Sequence, residues 1–501
     1  MSGGLTASVR LLGAGWVLVR HDALMPREID ELLPPHVRLL ARTLRLFAGR
    51  EAQAGRAGER LARALERLGP VTIKLGQVLS TRADVFGTEF AYDLSRLKDR
   101  LPPFPTEQAL AEVERSLGRP WGELFTQFGP PVAAASLAQA HPATMADGRR
   151  VAVKVLRPGV HRRVVRDLEV LAGAARLIEK WAPPARRLEP VAFVATVARS
   201  MELELDLRLE AAAASELAEI MAQTDYMRAP AVLWAGVGKR VLTLDWADGM
   251  PLSDPAALDQ PGLDRPALAD KVIRGFLTQA LGEGAFHADL HEGNLFVAAP
   301  ARLTAVDFGI VGRLGRPERR YLAEILWGFI QRDYARIAQV HFEAGYVPPR
   351  HSVETFAQAL RAVGEPVVGR PANEVSMGRL LAQLFEITAL FDMRLRPELI
   401  LLQKTMVTVE GVARRLDPNH DLWAAAQPVV EAWMRRELGP GAQAREALDE
   451  VRAAIRGFAR LAEQPPTAVA VAESKGPGLW PLILSLVALG AAGVAVYLSL
   501  T

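Results

Sequence analysis

Four polar signals follow one another along the chain in an order that suits phosphate chemistry. Lys154 ends a short apolar run, and Glu210 follows 56 residues later in a run with helical spacing. Asp289 and Asn294 lie five residues apart in the segment HADLHEGN. Asp307 opens an Asp-Phe-Gly sequence thirteen residues after Asn294. A lysine, three carboxylates and an amide are residue types that bind phosphate groups and a hard metal ion.

Each of these residue types suits one part of phosphoryl transfer. Mg²⁺ prefers hard oxygen ligands, which the Asp307 carboxylate and the Asn294 amide carbonyl can supply. Asp289 is the predicted catalytic residue, because a carboxylate beside the accepting hydroxyl or water can orient it. Lys154 is predicted to bind the nucleotide phosphates and Glu210 to hold that lysine. ATP and Mg²⁺ are therefore the predicted cofactors.

Taken singly, each signal has an ordinary alternative, such as a solvated lysine at a strand end or an exposed carboxylate on a helix. Their joint order and spacing resemble the catalytic loop and the metal loop of the protein-kinase fold. His287 and His291, in the same segment, are interpreted as structural hydrogen-bonding groups rather than as acid–base groups.

The elements that must position these residues change along the chain. Apolar residues recur with helical spacing over 30–100, 162–219 and 268–461. Over 122–156 the period changes to two, as in β-strands, and a hairpin-like stretch at 294–307 interrupts the last helical region. The predicted fold class is α+β: an atypical protein-kinase-like fold with a small β-rich lobe and a large helical lobe.

Further motifs resemble the AarF/UbiB family of atypical kinases, over about residues 30–440. The sequence Lys74-Leu75-Gly76-Gln77 matches the family's KxGQ extension, and Glu204-Leu205-Asp206 matches its ExD motif. The segments RDY at 332–334 and LQKT at 402–405 are similar to the quinone-biosynthesis branch. This resemblance implies that Lys74 and Gln77 project into the cleft and meet Glu204 and Asp206, where they would cover the place of a peptide substrate.

The same resemblance implies a nucleotide loop without glycine. It would consist of Ala133, Ala134, Ala135 and Ser136. Alanine avoids the left-handed conformations that glycine adopts, so this loop should be stiffer, with the Ser136 hydroxyl available as a donor.

Two departures from an ordinary kinase bear on the substrate, and one departure from the family bears on the catalytic loop. Ala288 stands where ordinary kinases have an arginine, and no Ala-Pro-Glu segment follows Gly309. Little room is left for a peptide-docking activation loop, which favours a small or lipid-borne substrate or plain ATP hydrolysis. Leu290 and Glu292 occupy positions where the family commonly has proline, so the stiffness of the catalytic loop is in question.

The two ends of the chain carry apolar segments. The 22 uncharged residues Leu479–Leu500 would form a helix of about 33 Å, which is long enough to span a bilayer once. Basic residues precede that span, so the predicted location is the inner membrane, with the catalytic body in the cytoplasm. Small residues spaced four apart could pair two such spans. Leu11–Val19 is too short to span and is predicted to form an amphipathic surface helix, packed on its own domain or touching a membrane.

The predicted domains follow from these patterns. They are a helical N-terminal extension at 1–105, a kinase-like N-lobe at 106–248, a helical C-lobe at 249–465, a linker at 466–478 and a transmembrane anchor at 479–500.

Composition narrows the possible partners. The chain has 60 basic and 57 acidic residues, a net charge of +3, which is too balanced for nucleic acid as the main partner. It has no cysteine, which excludes disulfides and thiol chemistry. Membrane lipids are the predicted partners from the apolar end. The resemblance adds quinone-biosynthesis enzymes and prenylated phenolic intermediates.

Three functions remain open on the sequence. The leading one, implied by the resemblance, is a membrane-anchored ATPase that supports ubiquinone biosynthesis by handling quinone intermediates. The alternatives are a scaffold with a structural nucleotide pocket and a kinase that phosphorylates a lipid or small molecule.

Overall fold

The computed structural model describes residues 2–366 and 397–439 with short gaps. The gaps lie at 33–34, 50–51, 53, 81–87, 96, 98–101, 182–185 and 187–188, and between the two ranges residues 383, 386–387 and 390–393 are described. The chain divides into two compact units, Met1–Arg436 and Glu437–Thr501. All the predicted site residues belong to the first unit.

Helices form the N-terminal part of the first unit, as the apolar spacing predicted. They are α1 Ser2–Arg20, α2 Pro35–Arg45, α3 Ala57–Leu68, α4 Pro70–Leu79 and α5 Thr88–Ser95. Gly69 separates α3 from α4 with a φ of +112°, a conformation that side chains rarely adopt, and Pro70 then starts α4. The Arg60 side chain of α3 is fully buried and pairs with Glu28 at 2.7 Å and Asp22 at 3.3 Å. Such a buried charge needs these partners, and they fix α3 against the segment after α1.

A five-stranded antiparallel sheet follows the helix α6, Thr106–Leu117. Its strands are β1 Phe125–Phe128, β2 Ala133–Ala134, β3 Ala138–Met145, β4 Arg150–Leu156 and β5 Val241–Asp245. The order is β1-β3-β4-β5, with β2 paired to β3. In this register Lys154 lies between Ala140 of β3 and Leu242 of β5, at the centre of the sheet. The strands predicted over 122–156 are thus confirmed.

Three helices cover this sheet: α7 Val160–Trp181, α8 Pro190–Glu204 and α9 Leu207–Met221. Their buried residues Val164, Met201 and Leu207 join one apolar core with Leu242 of β5. The helical spacing over 162–219 predicts an unbroken helical run at 204–210, which is wrong, because α8 ends at Glu204 and α9 begins at Leu207. Asp206 makes the break by accepting a hydrogen bond from the Arg208 amide, as an N-terminal capping residue does.

The following region is mostly helical. Its helices are α10 Arg265–Leu281, α11 Arg316–Gln331, α12 Tyr334–Glu343, α13 Val353–Gly364, α14 Pro397–Leu416 and α15 Leu422–Glu437. Its strands are β6 Met250–Pro251, β7 Ala285–His287, β8 Leu295–Ala298, β9 Arg302–Ala305 and β10 Val311–Arg313.

The short strands of this region frame the predicted catalytic and metal segments. β8 and β9 form the hairpin predicted at 294–307. β7 pairs with β10, and the sequence analysis did not predict this second pair. Strands of three residues are too short to show a two-residue period, so their pairing comes from the fold around them.

Among the residues that the structure describes, no helix is both long and apolar enough to cross a membrane. The predicted linker and the predicted span at 479–500 lie outside the described residues, as does the last part of the region predicted as helical, 440–461. The predicted surface helix lies within α1, where Val19 is buried and Trp16 is half exposed. Trp16 packs against Phe47, with 5.8 Å between ring centroids.

Candidate functional site

Lys154, Glu210 and Asp307 meet in space although 153 residues separate the first from the last. The Lys154 Nζ atom lies 2.7 Å from Glu210 Oε1 and 2.9 Å from Asp307 Oδ1. The sheet presents Lys154, and Glu210 lies in the first turn of α9. Asp307 follows β9 with a φ of +64°, a conformation that aspartate tolerates better than most residues. The predicted phosphate-binding lysine, the acid predicted to hold it and the predicted metal ligand therefore form one charged cluster.

Burial and charge shift the pKa values of this cluster in different directions. Burial raises the pKa of Glu210 to about 7 against the attraction of Lys154. The Lys154 ammonium is the main reason why the pKa of Asp307 falls to about 2, although desolvation opposes it. Desolvation alone would lower the pKa of Lys154, but the charges of Asp307 and Glu210 outweigh it and raise that pKa. Lys154 and Asp307 are therefore charged at neutral pH, and Glu210 titrates near it.

Asp289 and Asn294 lie in the turn between β7 and β8, which we call the catalytic loop (287–294). The Asn294 side-chain nitrogen donates to the Asp289 carbonyl oxygen at 3.0 Å. This bond uses the amide nitrogen, so the amide oxygen keeps its capacity to bind a cation. The Val306 amide, next to Asp307, donates to the Asn294 carbonyl at 2.9 Å. Both predicted metal ligands are thus tied to the same short stretch of backbone.

His287 fixes the entrance of the catalytic loop. Its Nε2 lies 3.1 Å from the Val306 carbonyl, and its Nδ1 accepts a hydrogen bond from the Asp289 amide at 3.1 Å. These partners require a proton on Nε2 and none on Nδ1, and burial lowers the pKa of the ring. The structural role predicted for His287 agrees with this neutral, doubly bonded ring. His291 accepts from the Gly293 amide at 2.9 Å and acts as a turn cap.

The alanine loop lies at the sheet edge. Ala133 and Ala134 form β2, and the Ala135 amide donates to Ala138 at 2.8 Å. The Arg157 guanidinium donates to the Ala135 carbonyl at 2.8 and 3.0 Å, which fixes the tip of the turn. Ser136 is buried, so a nucleotide could reach its hydroxyl only after the loop shifts. The nucleotide-binding role of this loop remains a prediction.

The KxGQ helix contacts the ExD segment at one of its two acids. Lys74 of α4 forms an ion pair with Glu204, the last residue of α8, and both side chains are mostly buried. Asp206 has a different task, because its carboxylate caps α9 and pairs with the Arg208 side chain at 2.6 Å. Gln77 lies about one turn after Lys74, and its carbonyl accepts a bond from the Ser80 hydroxyl at 2.6 Å.

Two contacts of α14 with the catalytic loop were not predicted. The Thr405 hydroxyl donates to the Ala288 carbonyl at 3.1 Å, and Arg415 forms an ion pair with Glu292. In the sequence, LQKT resembles the quinone-biosynthesis branch and Glu292 replaces a common proline, but neither feature predicts its partner. More than 100 residues separate each pair, so no local pattern could have found it.

The donor set of the site fits Mg²⁺. A carboxylate and an amide oxygen are hard ligands, and Mg²⁺ is commonly held by one or two protein groups together with phosphates and water. No group of three or more histidine and carboxylate side chains within the described ranges could hold a metal by itself. A metal at this site would therefore depend on the nucleotide phosphates for its remaining ligands.

The small antiparallel sheet, the mostly helical region after it and this cluster define an atypical protein-kinase-like protein. The model of the ABC1 atypical kinase-like domain matches residues 96–341, and that of the UbiB helical domain matches 360–421. The chain belongs to the UbiB family, which confirms the resemblance found in the sequence. A relative named "Probable protein kinase UbiB" from Marinobacter nauticus is 42% identical over 444 residues, which cover 87% of this chain and 80% of the relative. One of the same name from Xylella fastidiosa is 41% identical over 401 residues, with 79% and 72% covered.

A solved structure supports the fold alone. The complex of Rv3197 with erythromycin from Mycobacterium tuberculosis matches with a TM-score of 0.53 at 24% identity. The match covers 74% of this chain and 95% of that one.

Proposed function

We propose that this chain binds Mg-ATP and hydrolyses it in support of ubiquinone biosynthesis. One observation carries the proposal: Lys154 lies between Glu210 and Asp307, at 2.7 and 2.9 Å. A cation held between a buried acid and a second carboxylate beside an amide ligand is suited to a nucleotide phosphate with its metal.

Each residue has a separate task in this proposal. Glu210 would hold Lys154 against the phosphates, and Asn294 and Asp307 would hold Mg²⁺. The bound Mg-ATP supplies the phosphoryl group and the metal that neutralises its developing charge. Asp289 would orient the attacking water, because its side chain is partly exposed while His287 fixes its backbone.

The segment after Asp307 favours water or a small acceptor over a peptide. β10 ends at Arg313, and α11 already begins at Arg316. A chain this short between the metal loop and the next helix offers little surface for an extended peptide. The Lys74–Glu204 ion pair holds α4 to the end of α8, in support of the predicted cover over the cleft.

The biological setting is proposed from the family and from the apolar end of the chain. Relatives carry the name UbiB, and we infer that this chain likewise acts on the ubiquinone pathway. Its ATPase cycle would extract or present prenylated phenolic intermediates to the biosynthetic enzymes. The segment 479–500 would anchor the body to the inner membrane and could pair with a second copy.

The decisive experiment is the exchange Asp307→Asn in the full chain. We expect Mg-ATP hydrolysis, measured with anionic liposomes and a phenolic quinone precursor, to fall to background while the thermal midpoint is kept. Cells carrying only this variant should contain less quinone. Asp225→Asn is the matched control, since that carboxylate is 74% exposed and pairs with Arg228 and Lys271 at the surface.

The same experiment separates the alternatives. Normal quinone levels with Asp307→Asn would support a scaffold and refute an enzymatic role. Transfer of radiolabel from ATP to an organic-extractable product would identify a lipid or small-molecule kinase instead of an ATPase.

A further inference from the structure

Helix α14 holds the catalytic loop at two points that flank Asp289. On one side, the buried Thr405 hydroxyl lies 3.1 Å from the carbonyl oxygen of Ala288 and shares its single hydrogen with the Leu401 carbonyl of its own helix, at 2.8 Å. On the other side, the Arg415 guanidinium forms an ion pair with the Glu292 carboxylate. Asp289 itself takes part in neither contact. The loop is therefore held on both sides of its predicted catalytic residue by one helix.

Glu292 occupies a backbone position at which proline is well tolerated. It is the first residue of the short 3-10 turn Glu292–Asn294, with His291 as the capping residue. The amide of a first helical residue has no partner within its helix, and the φ that proline fixes is already helical. Proline here would stiffen the turn by itself, whereas glutamate leaves the turn to be fixed by its surroundings.

Arg415 is carried on a firmly held end of α14. The side chain of Arg265, at the start of α10, donates to the Leu416 carbonyl at 2.9 Å and to the Arg415 carbonyl at 3.4 Å. The Glu292 backbone is also tied, since its carbonyl accepts from the Ser253 amide at 3.1 Å. The Arg415–Glu292 ion pair thus joins two anchored segments and can transmit the position of α14 to the loop.

The turn that this ion pair holds sets the orientation of the predicted metal ligand. The Asn294 amide donates to the His291 carbonyl at 2.9 Å, and its side chain donates to the Asp289 carbonyl at 3.0 Å. Movement of Glu292 would displace Asn294, two residues on, and with it the Asp289 carbonyl.

We propose that Arg415 is a positioning residue: through Glu292 it fixes the turn that places Asn294 and Asp289, a task that a proline at 292 could perform alone. The proposal rests on the ATP hydrolysis proposed above. Arg415 acts only through Glu292 and touches neither nucleotide nor metal.

The test compares Arg415→Ala in two backgrounds of the full chain. In the natural background we expect kcat for Mg-ATP hydrolysis to fall about fivefold, the upper range for a partly exposed ion pair. KM for Mg-ATP should change less than kcat does, because Lys154 and Glu210, the proposed phosphate-binding pair, are untouched. With Glu292→Pro present, the same exchange should change kcat less than twofold. Arg414→Ala is the matched control, since that guanidinium pairs with Glu410 of its own helix at 3.3 Å.

Several results would overturn the proposal. An unchanged kcat in Arg415→Ala, an equal loss in both backgrounds, or a loss that follows a lowered thermal midpoint would each refute a positioning role. If the natural protein hydrolyses no ATP at all, the proposed function fails first.

Hydrogen–deuterium exchange then tests the positioning role without activity. The amides of 293–295 should exchange faster in Arg415→Ala than in Arg414→Ala, and Glu292→Pro should reverse this. Equal exchange would refute the proposal independently of activity.

Discussion

Replacing Glu210 with glutamine should reduce kcat/KM for ATP hydrolysis about tenfold while the protein stays folded. The exchange keeps the size of the side chain and an oxygen that can accept from Lys154 Nζ, now 2.7 Å from Glu210. What it removes is the negative charge that holds the ammonium. Lys154 would then be drawn towards Asp307, 2.9 Å away, which is the predicted metal ligand. Both the grip on phosphate and the access of Mg²⁺ should suffer.

The size of this effect follows from the burial of the pair. Glu210 keeps only 9% of its side-chain surface exposed and Lys154 keeps 25%, so solvent screens the contact weakly. Hydrogen bonds to charged groups contribute about 1.5–3 kcal/mol and neutral ones about 0.5–1.5 kcal/mol. Losing one of the two charges therefore costs roughly 1.4 kcal/mol, or about tenfold in kcat/KM.

The assay is steady-state Mg-ATP hydrolysis at pH 8, paired with a thermal unfolding scan. Glu216→Gln serves as the control, because Glu216 lies on the same helix and pairs with Arg313 at 2.7 Å on the surface. That variant should hydrolyse ATP as the natural protein does. If Glu210→Gln also retained full kcat/KM, or lost activity only together with its thermal midpoint, the role assigned to Glu210 would be refuted.

Three further predictions concern stability. Lys74→Met should lower the free energy of unfolding by about 1–2 kcal/mol, because it leaves the Glu204 carboxylate without its partner, and adding Glu204→Gln should recover part of this loss in urea unfolding. Burial lowers the pKa of His141, so the stability that its neutral ring contributes is present above pH 6.5 and is lost as the pH falls. When the free energy of unfolding is plotted against pH below 6.5, His141→Gln should reduce the slope by up to about 1.4 kcal/mol per pH unit. Gly312→Ala should destabilise the protein by about 1–3 kcal/mol, because its new methyl group would overlap the Phe286 ring where β10 pairs with β7.

Matched variants show whether these effects are local. Gly411→Ala, in the middle of α14, adds a methyl group with no described atom within 4 Å and should stabilise by about 0.5–1 kcal/mol. Exchange of the exposed His36 for glutamine is the matched control and should leave the free energy of unfolding at neutral pH unchanged. A Gly312→Ala protein as stable as the natural one would show that β7 and β10 can separate freely.

The order of the motifs predicted the centre of the site because those residues carry chemistry at fixed spacings. Lys154, Glu210 and Asp307 form one cluster, as the argument from phosphate and metal binding required. The residue type alone could not predict that Asp206 caps a helix, since Asp serves equally well as a cap and as a cleft residue. The chemistry of the residue types therefore predicted which residues meet, whereas the role of Asp206 depends on the local backbone.

Contacts between distant parts of the chain were beyond sequence reasoning. Thr405 and Arg415 reach the catalytic loop from α14, and neither residue type is unusual for a helix. Short strands could not be predicted for a related reason, since the three residues of β7 are too few to show a two-residue period. In each case the information lies in the packing of two segments and not in the pattern of one.

Because Lys154 pairs with both Glu210 and Asp307, the variants Asp307→Asn and Glu210→Gln test different parts of the site. Lys154 lies in β4 of the five-stranded sheet and Asp307 follows β9 beside the catalytic loop, so this pair joins the sheet to the segment after β9. Asp307→Asn alters both that ion pair and the predicted metal ligand, whereas Glu210→Gln alters only the hold on Lys154. A magnesium titration of nucleotide binding separates these effects: Asp307→Asn should raise the Mg²⁺ concentration needed for half-maximal ATP binding much more than Glu210→Gln does. Equal shifts in the two variants would mean that Asp307 acts mainly as the partner of Lys154, and the metal would then have to be assigned to other ligands.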